Sequence, residues 1–235
     1  MRYLGLGAVL ATCAALLVAF GPAGGVFGQD PPPPPVDPRM EALAVRLDAQ
    51  RLETERLATR LQETVGSVQE LVALFHKANP EMPVEVAQAA ALAVLRNSDE
   101  VFTPELLMSW LWEESRYRFR LISRAQAEGI AQIRPGTGRW IATRLLQTEW
   151  DRERVQEDPA YAIDLGVAYL RWLYDRYGGD LHRTFTAYNR GTGGLEAYIA
   201  VHGTPVSRYS SCILARVGLD DGHRCRTRSR DQEGE

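Results

Sequence analysis

One carboxylate in this sequence lies where carboxylates are rarely found, on the apolar face of a predicted helix. Thr103 and Pro104 are typical of a helix start, since threonine can cap free N–H groups and proline fits the first helical position. A helix from there to about Tyr117 places Glu114 within an apolar stripe made of Leu106, Leu107, Trp110 and Leu111. Burial there would raise the pKa of the carboxyl and suit it to donate a proton near neutral pH. The position also fits a glutamate at a helix end that reaches solvent or pairs with a following arginine, Arg116, Arg118 or Arg120.

Several short motifs follow Glu114 in order. Ser115 completes a Glu-Ser pair, and Ser123 comes nine residues after the glutamate. Residues 129–137 then read GIAQIRPGT, and residues 187–193 read AYNRGTG. Together these motifs resemble the catalytic domain of the soluble lytic transglycosylase (SLT) family, whose fold is similar to that of goose-type lysozyme.

The resemblance extends over about residues 84–217. Residues 158–170 are similar to the family pattern D-P-x-x-N-I-x-x-G-x-x-Y-L, with Ala162 in place of the asparagine. The family often has methionines beside the glutamine of its central motif, where this chain has Ala131 and Arg134. The resemblance implies an all-α fold with a lysozyme-like catalytic domain over residues 79–218.

The resemblance also implies roles for individual residues. Glu114 would be the catalytic acid, and four residues would bind or orient the substrate: Ser123, Gln132, Tyr188 and Asn189. Ser123 would bond near the muramyl ring or Glu114, Gln132 would contact sugar polar groups, Tyr188 would lie over the acid, and Asn189 would brace its turn. Each side chain also has a structural alternative, because serines cap loops, glutamines pack beneath them, and core tyrosines bond elsewhere.

The chemistry that these residues imply needs one carboxyl group. Glycoside hydrolases generally use two carboxyl groups, about 5–9.5 Å apart. Glu113 points around the predicted helix, Glu128 belongs to a polar segment, and Asp158 is typical of a helix cap, so Glu114 has no evident partner. The family cleaves the bond between N-acetylmuramic acid and N-acetylglucosamine, and one glutamate serves as acid and then base. No cofactor or metal is implied. A lysozyme-like hydrolase and a non-catalytic wall-binding scaffold are the alternatives.

The first 39 residues differ in composition from the rest. Residues 1–28 contain Arg2 and an apolar run ending near Phe20, which predicts a secretory signal peptide or an uncleaved anchor. Cys13 leaves a lipoprotein site open as a third interpretation. Residues 29–39 are rich in proline and predict a stiff spacer. The protein is therefore expected to be exported, to the periplasm or cell envelope, and any membrane contact is expected through the N-terminal segment.

Residues 40–78 carry a three-four apolar repeat that predicts a long amphipathic helix. The repeat positions are Met40, Leu43, Leu47, Gln50, Thr54, Leu57, Leu61, Thr64, Val68, Leu71 and Phe75. Such a helix could self-associate as a coiled coil, fold back as a hairpin or dock on the catalytic domain. We favour self-association.

Cysteine content and charge bound the remaining possibilities. Cys212 and Cys225 are a pair in a chain expected to be exported, which predicts a disulfide; a metal site with His223 would lack a fourth ligand. The formal net charge of −3 gives no indication of a nucleic-acid partner. Residues 219–235 form a polar tail.

Overall fold

The structure, a computed structural model, describes residues 38–226. The predicted signal or anchor, residues 29–37 of the predicted spacer, and residues 227–235 lie outside that part. Within it the regular structure is helical, and extended pairing is limited to two isolated β-bridges in residues 122–133. The all-α prediction is confirmed.

The helices of the described part are α1 (Pro38–Ala78), α2 (Val84–Arg96), α3 (Pro104–Ser115), α4 (Pro135–Trp140) with a π-helical turn after it (Ile141–Leu145), α5 (Arg152–Glu157), α6 (Pro159–Arg176), α7 (Leu181–Arg190), α8 (Thr192–His202), α9 (Arg208–Ala215) and α10 (His223–Arg226). The longest connection between helices of the described part, residues 116–134, joins α3 to α4. None of these helices combines the length and the apolar character needed to cross a membrane.

Helix α1 is a single continuous helix, so the hairpin interpretation is wrong. The chain divides into two units between Leu52 and Glu53. In the first unit the described residues, 38–52, are all exposed. In the second unit α1 stays exposed to residue 65, and its last turns then pack on the core, where Phe75 is fully buried. The phenyl ring of Phe75 lies edge-on to the ring of Tyr117, with centroids 5.0 Å apart.

Helix α6 lies at the centre of the second unit. Asp158 caps its first turn by accepting a hydrogen bond from the backbone N–H of Tyr161 (3.1 Å), and Pro159 occupies the first helical position. The apolar residues of α6 are buried on several sides because α2, α5 and α7 all pack against it. Gly166 gives α6 close access to α3, since a Cβ atom there would lie 2.5 Å from the indole of Trp110.

Local structure differs from the sequence expectations at several points. Helix α3 ends at Ser115 rather than near Tyr117, because Arg116 and Tyr117 both adopt left-handed backbone conformations. Helix α4 begins at Pro135, where the proline takes the first helical position. Helix α5, which Asp151 caps, was not predicted.

Helix α9 was not predicted. Ser207 and Ser210 form a capping box at its start, and each side chain accepts a hydrogen bond from the other residue's backbone N–H (3.1 Å each). Helix α9 packs against α3 and α7, and the Ser109 hydroxyl of α3 donates to the Ile213 carbonyl of α9 (2.8 Å). The unpredicted helix is therefore fixed beside the helix that carries Glu114.

Candidate active site

Glu114 lies in the last turn of α3, where the helix stops abruptly. The Ser115 hydroxyl is buried and donates to the Leu111 carbonyl (3.3 Å), and the Ser115 carbonyl accepts from the Arg118 guanidinium (3.0 Å). The two left-handed residues that follow turn the chain away from the helix axis. The Glu114 side chain is half-buried and lines a cavity of about 290 Å³.

The surroundings of Glu114 keep a proton on its carboxyl group. Burial raises its pKa from about 4.5 to about 8, and the nearby charge of Glu113 adds to the rise. The Tyr209 hydroxyl and the Trp110 indole N–H act in the opposite direction, because hydrogen-bond donors favour the charged form. The indole effect is the weaker one, and Trp110 Nε1 has no partner within hydrogen-bond geometry in the described chain. The carboxyl is therefore mainly protonated at neutral pH.

The partner of Glu114 is Tyr209, a residue that sequence reasoning missed. The Tyr209 hydroxyl, from α9, donates a hydrogen bond to Glu114 Oε1. Burial and the adjacent carboxylate hold the pKa of Tyr209 well above its usual value, so it stays a neutral donor. The capping box at residues 207–210 was the available sequence signal for α9, but the spacing gives no indication that Tyr209 meets Glu114.

The loop between α3 and α4 is tightly bonded. The Ser123 hydroxyl accepts from the Ala127 N–H (3.0 Å), and the Gln132 amide donates to the carbonyls of Leu121 (3.0 Å) and Gly129 (2.9 Å). Both side chains line the Glu114 cavity. These hydrogen bonds fit the structural roles considered for the two residues, a serine that caps a loop and a glutamine that packs beneath it. Neither side chain bonds to Glu114.

This loop is anchored to α5 by a buried charge. Glu128, expected in a polar segment, is fully buried and accepts from the Arg152 guanidinium at 2.5 and 3.0 Å. Gly129 packs so closely on α5 that a Cβ atom would lie 2.2 Å from the Val155 carbonyl oxygen, and its φ of +74° also favours glycine. Glu128 therefore holds the loop and does not line the cavity.

Helix α7 brings Tyr188 and Asn189 to the same cavity. The Tyr188 hydroxyl donates to the Ala131 carbonyl (2.9 Å), whereas the hydroxyl that donates to Glu114 is that of Tyr209. Burial and the nearby Glu114 hold the pKa of Tyr188 well above its usual value. Asn189 is exposed at the cavity and, within the described residues, its side chain makes no hydrogen bond that would brace the turn.

The cavity has an uneven distribution of charge. Glu114 is the sole carboxylate among its described lining residues, whereas Arg134 and Arg190 are cationic lining residues. Glu113, beside the acid in sequence, instead pairs with Arg216 (2.6 Å). The site therefore offers one protonated carboxyl group in a cationic surrounding.

The cysteines lie next to the site in sequence but have a structural role. Cys212 of α9 and Cys225 of α10 form a disulfide. Their sulfur atoms are thus unable to bind a metal with His223, and residues 38–226 contain no cluster of side chains suited to a metal ion.

Comparison with known families identifies a matching domain. Residues 96–207 match the family model described as "Transglycosylase SLT domain". This segment contains Glu114 and the cavity residues Ser123, Gln132, Tyr188 and Asn189. The resemblance inferred from the motifs is confirmed.

Individual relatives are distant. Proteins named "Soluble lytic murein transglycosylase" from Escherichia coli K12 and from Escherichia coli O157:H7 are each 24% identical to this chain over 115 residues, which are 49% of this chain and 15% of the relative. The chain thus matches about one seventh of those relatives' length. A crystal structure of the 70 kDa soluble lytic transglycosylase from Escherichia coli aligns with a TM-score of 0.41 and 16% identity, over 63% of this chain and 32% of that one.

Proposed function

We propose that this chain, which carries a transglycosylase SLT domain in residues 96–207, is a peptidoglycan lytic transglycosylase. The observation that carries the proposal is that Glu114, whose pKa is raised by burial to about 8, lines a cavity whose other described lining residues include no carboxylate. A two-carboxylate hydrolase would need a second acidic side chain about 5–9.5 Å away. Glu113 and Glu128, two carboxylates considered in the sequence as partners of Glu114, are paired with Arg216 and Arg152.

In the proposed reaction Glu114 acts twice. It first donates its proton to the oxygen between N-acetylmuramic acid and N-acetylglucosamine, and the bond from that oxygen to the muramyl C1 breaks. The resulting carboxylate then takes the proton of the muramyl 6-hydroxyl, whose oxygen bonds to C1 and closes a 1,6-anhydro ring. The carboxyl is protonated again at the end, and no water is consumed.

The neighbours of Glu114 suit both halves of this cycle. Burial favours the protonated acid before cleavage, and the Tyr209 hydroxyl stabilises the carboxylate formed after it. General acid–base assistance supplies roughly 10²–10⁴-fold in rate. The remaining acceleration must come from binding and distortion of the sugar, for which Gln132 Oε1 and the Asn189 amide offer polar groups at the cavity.

Charge supports peptidoglycan as the substrate. The lactyl group and the stem peptides of peptidoglycan carry carboxylates, and a guanidinium binds a carboxylate with two parallel hydrogen bonds. Arg134 and Arg190 line the cavity without an ion pair to any described carboxylate. The disulfide fits an exported protein, because disulfides persist in oxidising compartments such as the periplasm.

The test is digestion of purified peptidoglycan, with mass spectrometry of the released muropeptides. The wild-type chain is expected to release 1,6-anhydromuramyl products, each lighter by one water than the corresponding reducing sugar. Glu114→Gln is expected to release none while still binding the wall. Glu105→Gln, an exposed carboxylate on the same helix, is the matched control and should cleave like wild type.

Other results would assign other functions. Reducing sugars from the wild-type chain would indicate a lysozyme-like hydrolase. A wild-type chain that binds the wall but releases no product would indicate a wall-binding scaffold. Full activity of Glu114→Gln would show that the acid is wrongly assigned.

A further inference from the structure

A group of aromatic side chains continues from the cavity wall to the protein surface. Tyr188 and Tyr169 both line the cavity, with ring centroids 5.5 Å apart. Tyr169 stacks on Trp172, one turn along α6, at 5.7 Å and an interplanar angle of 11°. Trp140, at the end of α4, then meets Trp172 edge-on at 4.9 Å and Tyr169 at 6.2 Å. We call Trp140, Tyr169 and Trp172 the aromatic shelf.

Trp140 presents the exposed part of this shelf. It is 37% exposed, which is more than any other phenylalanine, tyrosine or tryptophan in the described part of the chain. Trp140 lies close to the site along the chain, because Thr137, three residues before it, and Ile141, directly after it, both line the cavity. A π-helical turn begins directly after Trp140, and such turns are frequent at functional sites.

The exposed indole is also held in place. Trp172 supports it from α6, and Trp172 itself lies between the Tyr169 ring and the Arg176 guanidinium, which is 5.3 Å from the indole centroid. On the other side of α4, Gly138 allows Trp150 to pack where a Cβ atom would clash at 2.3 Å. A large apolar ring that is fixed before binding loses little conformational entropy when a ligand covers it.

We infer that the aromatic shelf is a sugar-binding subsite, in which Trp140 stacks against an N-acetylhexosamine ring of the glycan strand beyond the rings held at Glu114. One face of a pyranose consists largely of C–H groups, and these pack on the electron-rich face of an indole. The shelf adjoins the cavity at Tyr169, so one glycan strand can occupy both. Without Trp140, long oligosaccharides would lose a contact that short ones never reach.

This inference rests on the proposed function, so its test measures binding rather than turnover. The full chain carrying Glu114→Gln is titrated with N-acetylglucosamine trimer and hexamer by isothermal calorimetry. We expect the hexamer to bind more tightly than the trimer. Adding Trp140→Ala should weaken hexamer binding about tenfold, a size typical of one aromatic contact, and leave trimer binding unchanged.

Two further variants separate stacking from general disturbance. Trp140→Phe keeps an aromatic face and should restore most of the hexamer affinity. Leu146→Ala removes a side chain of similar exposure (38%) from the end of the same helical segment and should have no effect on either sugar. Thermal unfolding of each variant is measured, and binding is compared at a temperature at which every variant is fully folded.

The inference is overturned if Trp140→Ala binds the hexamer as tightly as its parent, or if the parent binds both sugars equally. It is also overturned if trimer and hexamer binding fall together, since that would indicate a disturbed cavity. Failure of the proposed function would look different, because sugar binding would follow the expected pattern while wild type released no anhydromuramyl product.

Discussion

At the scale of single residues, the proposed reaction depends on a carboxyl group that carries a proton before cleavage. Burial of Glu114 raises its pKa to about 8. We therefore predict that kcat/KM for wall cleavage falls as pH rises through about 8, because the free enzyme loses the proton that it must donate. The measurement is the initial rate of muropeptide release across pH. A rate that keeps rising well above pH 8 would contradict the acid role.

Tyr209 supplies a second test of this pH dependence. Its hydroxyl lowers the pKa of Glu114, so Tyr209→Phe should move the alkaline limb of the pH profile, where kcat/KM falls, to higher pH. The same substitution should reduce kcat/KM by about ten- to a hundredfold, because a hydrogen bond to a charged group is lost. Tyr174→Phe, which does not line the cavity, should change neither. A lower rate with an unmoved limb would mean that Tyr209 only supports packing.

The same pKa also affects stability. Its folded value, about 8, lies above the ordinary value of about 4.5, so between these pH values the folded chain holds a proton that the unfolded chain has released. The stabilisation from Glu114 is therefore complete below pH 4.5 and is lost as pH rises through 8. We predict that urea denaturation finds the wild-type chain losing stability relative to Glu114→Gln from pH 5 to 9. A constant difference between the two proteins would contradict the raised pKa.

Residues of the site differed in how well the sequence revealed them. Glu114 could be found because it interrupts a helical apolar stripe, which is a local signal. Tyr209 lies 95 residues further on, and its contact depends on how α9 packs against α3. Gln132 and Ser123 were placed at the cavity by their motifs, but their actual hydrogen bonds follow from a left-handed backbone at Gln132 and a turn at Ser123, which spacing does not encode.

At the scale of helices, Gly166 allows α6 to approach Trp110 of α3, the helix that carries Glu114. An alanine at Gly166 would place its Cβ atom 2.5 Å from the buried Trp110 indole and 3.2 Å from Ala131. Overpacking of this kind costs about 1–3 kcal/mol, which outweighs the gain of up to about 1 kcal/mol from better helix propensity. We predict that Gly166→Ala lowers the free energy of unfolding, measured by urea denaturation.

Gly136 offers the matched control for that prediction. It lies in α4, and a Cβ atom there would meet no atom within 4 Å. Gly136→Ala should therefore be neutral or slightly stabilising. Equal effects of the two substitutions would show that the close approach of α6 to α3 is unimportant.

The predictability of the helices follows the strength of their local signals. Helices α3 and α6 start at Thr103-Pro104 and Asp158-Pro159, where a capping side chain precedes a proline, and both starts are as predicted. Helices α5 and α9 are six and eight residues long, too short for a clear apolar period, and they gain most of their stability from packing. The end of α3 depends on two left-handed non-glycine residues, which no sequence rule anticipates.

At the scale of the whole molecule, the long helix α1 has an exposed part and a packed part. The apolar residues of its repeat before residue 65 are exposed, with Leu57 and Leu61 at 55% and 66%. Its last turns, including Leu71 and Phe75, pack on the core of the second unit. The docking interpretation thus holds for the end of α1, and self-association is our proposal for the exposed part.

We predict that the full chain associates through the exposed apolar residues of α1, which include Leu57 and Leu61. Sedimentation velocity should detect oligomers that dissociate on dilution, since polar Gln50 and Thr54 interrupt the repeat. Leu57→Glu with Leu61→Glu should give monomers at all concentrations. Thr59→Glu with Gln62→Glu adds the same charge on the opposite face and should associate like wild type. A wild-type chain that stays monomeric at every concentration would contradict the proposal.

We propose that Glu114 cleaves peptidoglycan without consuming water. The decisive measurement is digestion in oxygen-18-labelled water, followed by mass spectrometry of the new muramyl ends. We predict that products of the wild-type chain carry no heavy oxygen, because the muramyl 6-hydroxyl supplies the oxygen that bonds to C1. One heavy oxygen in each product would show that water attacks C1, and the chain would then be a hydrolase.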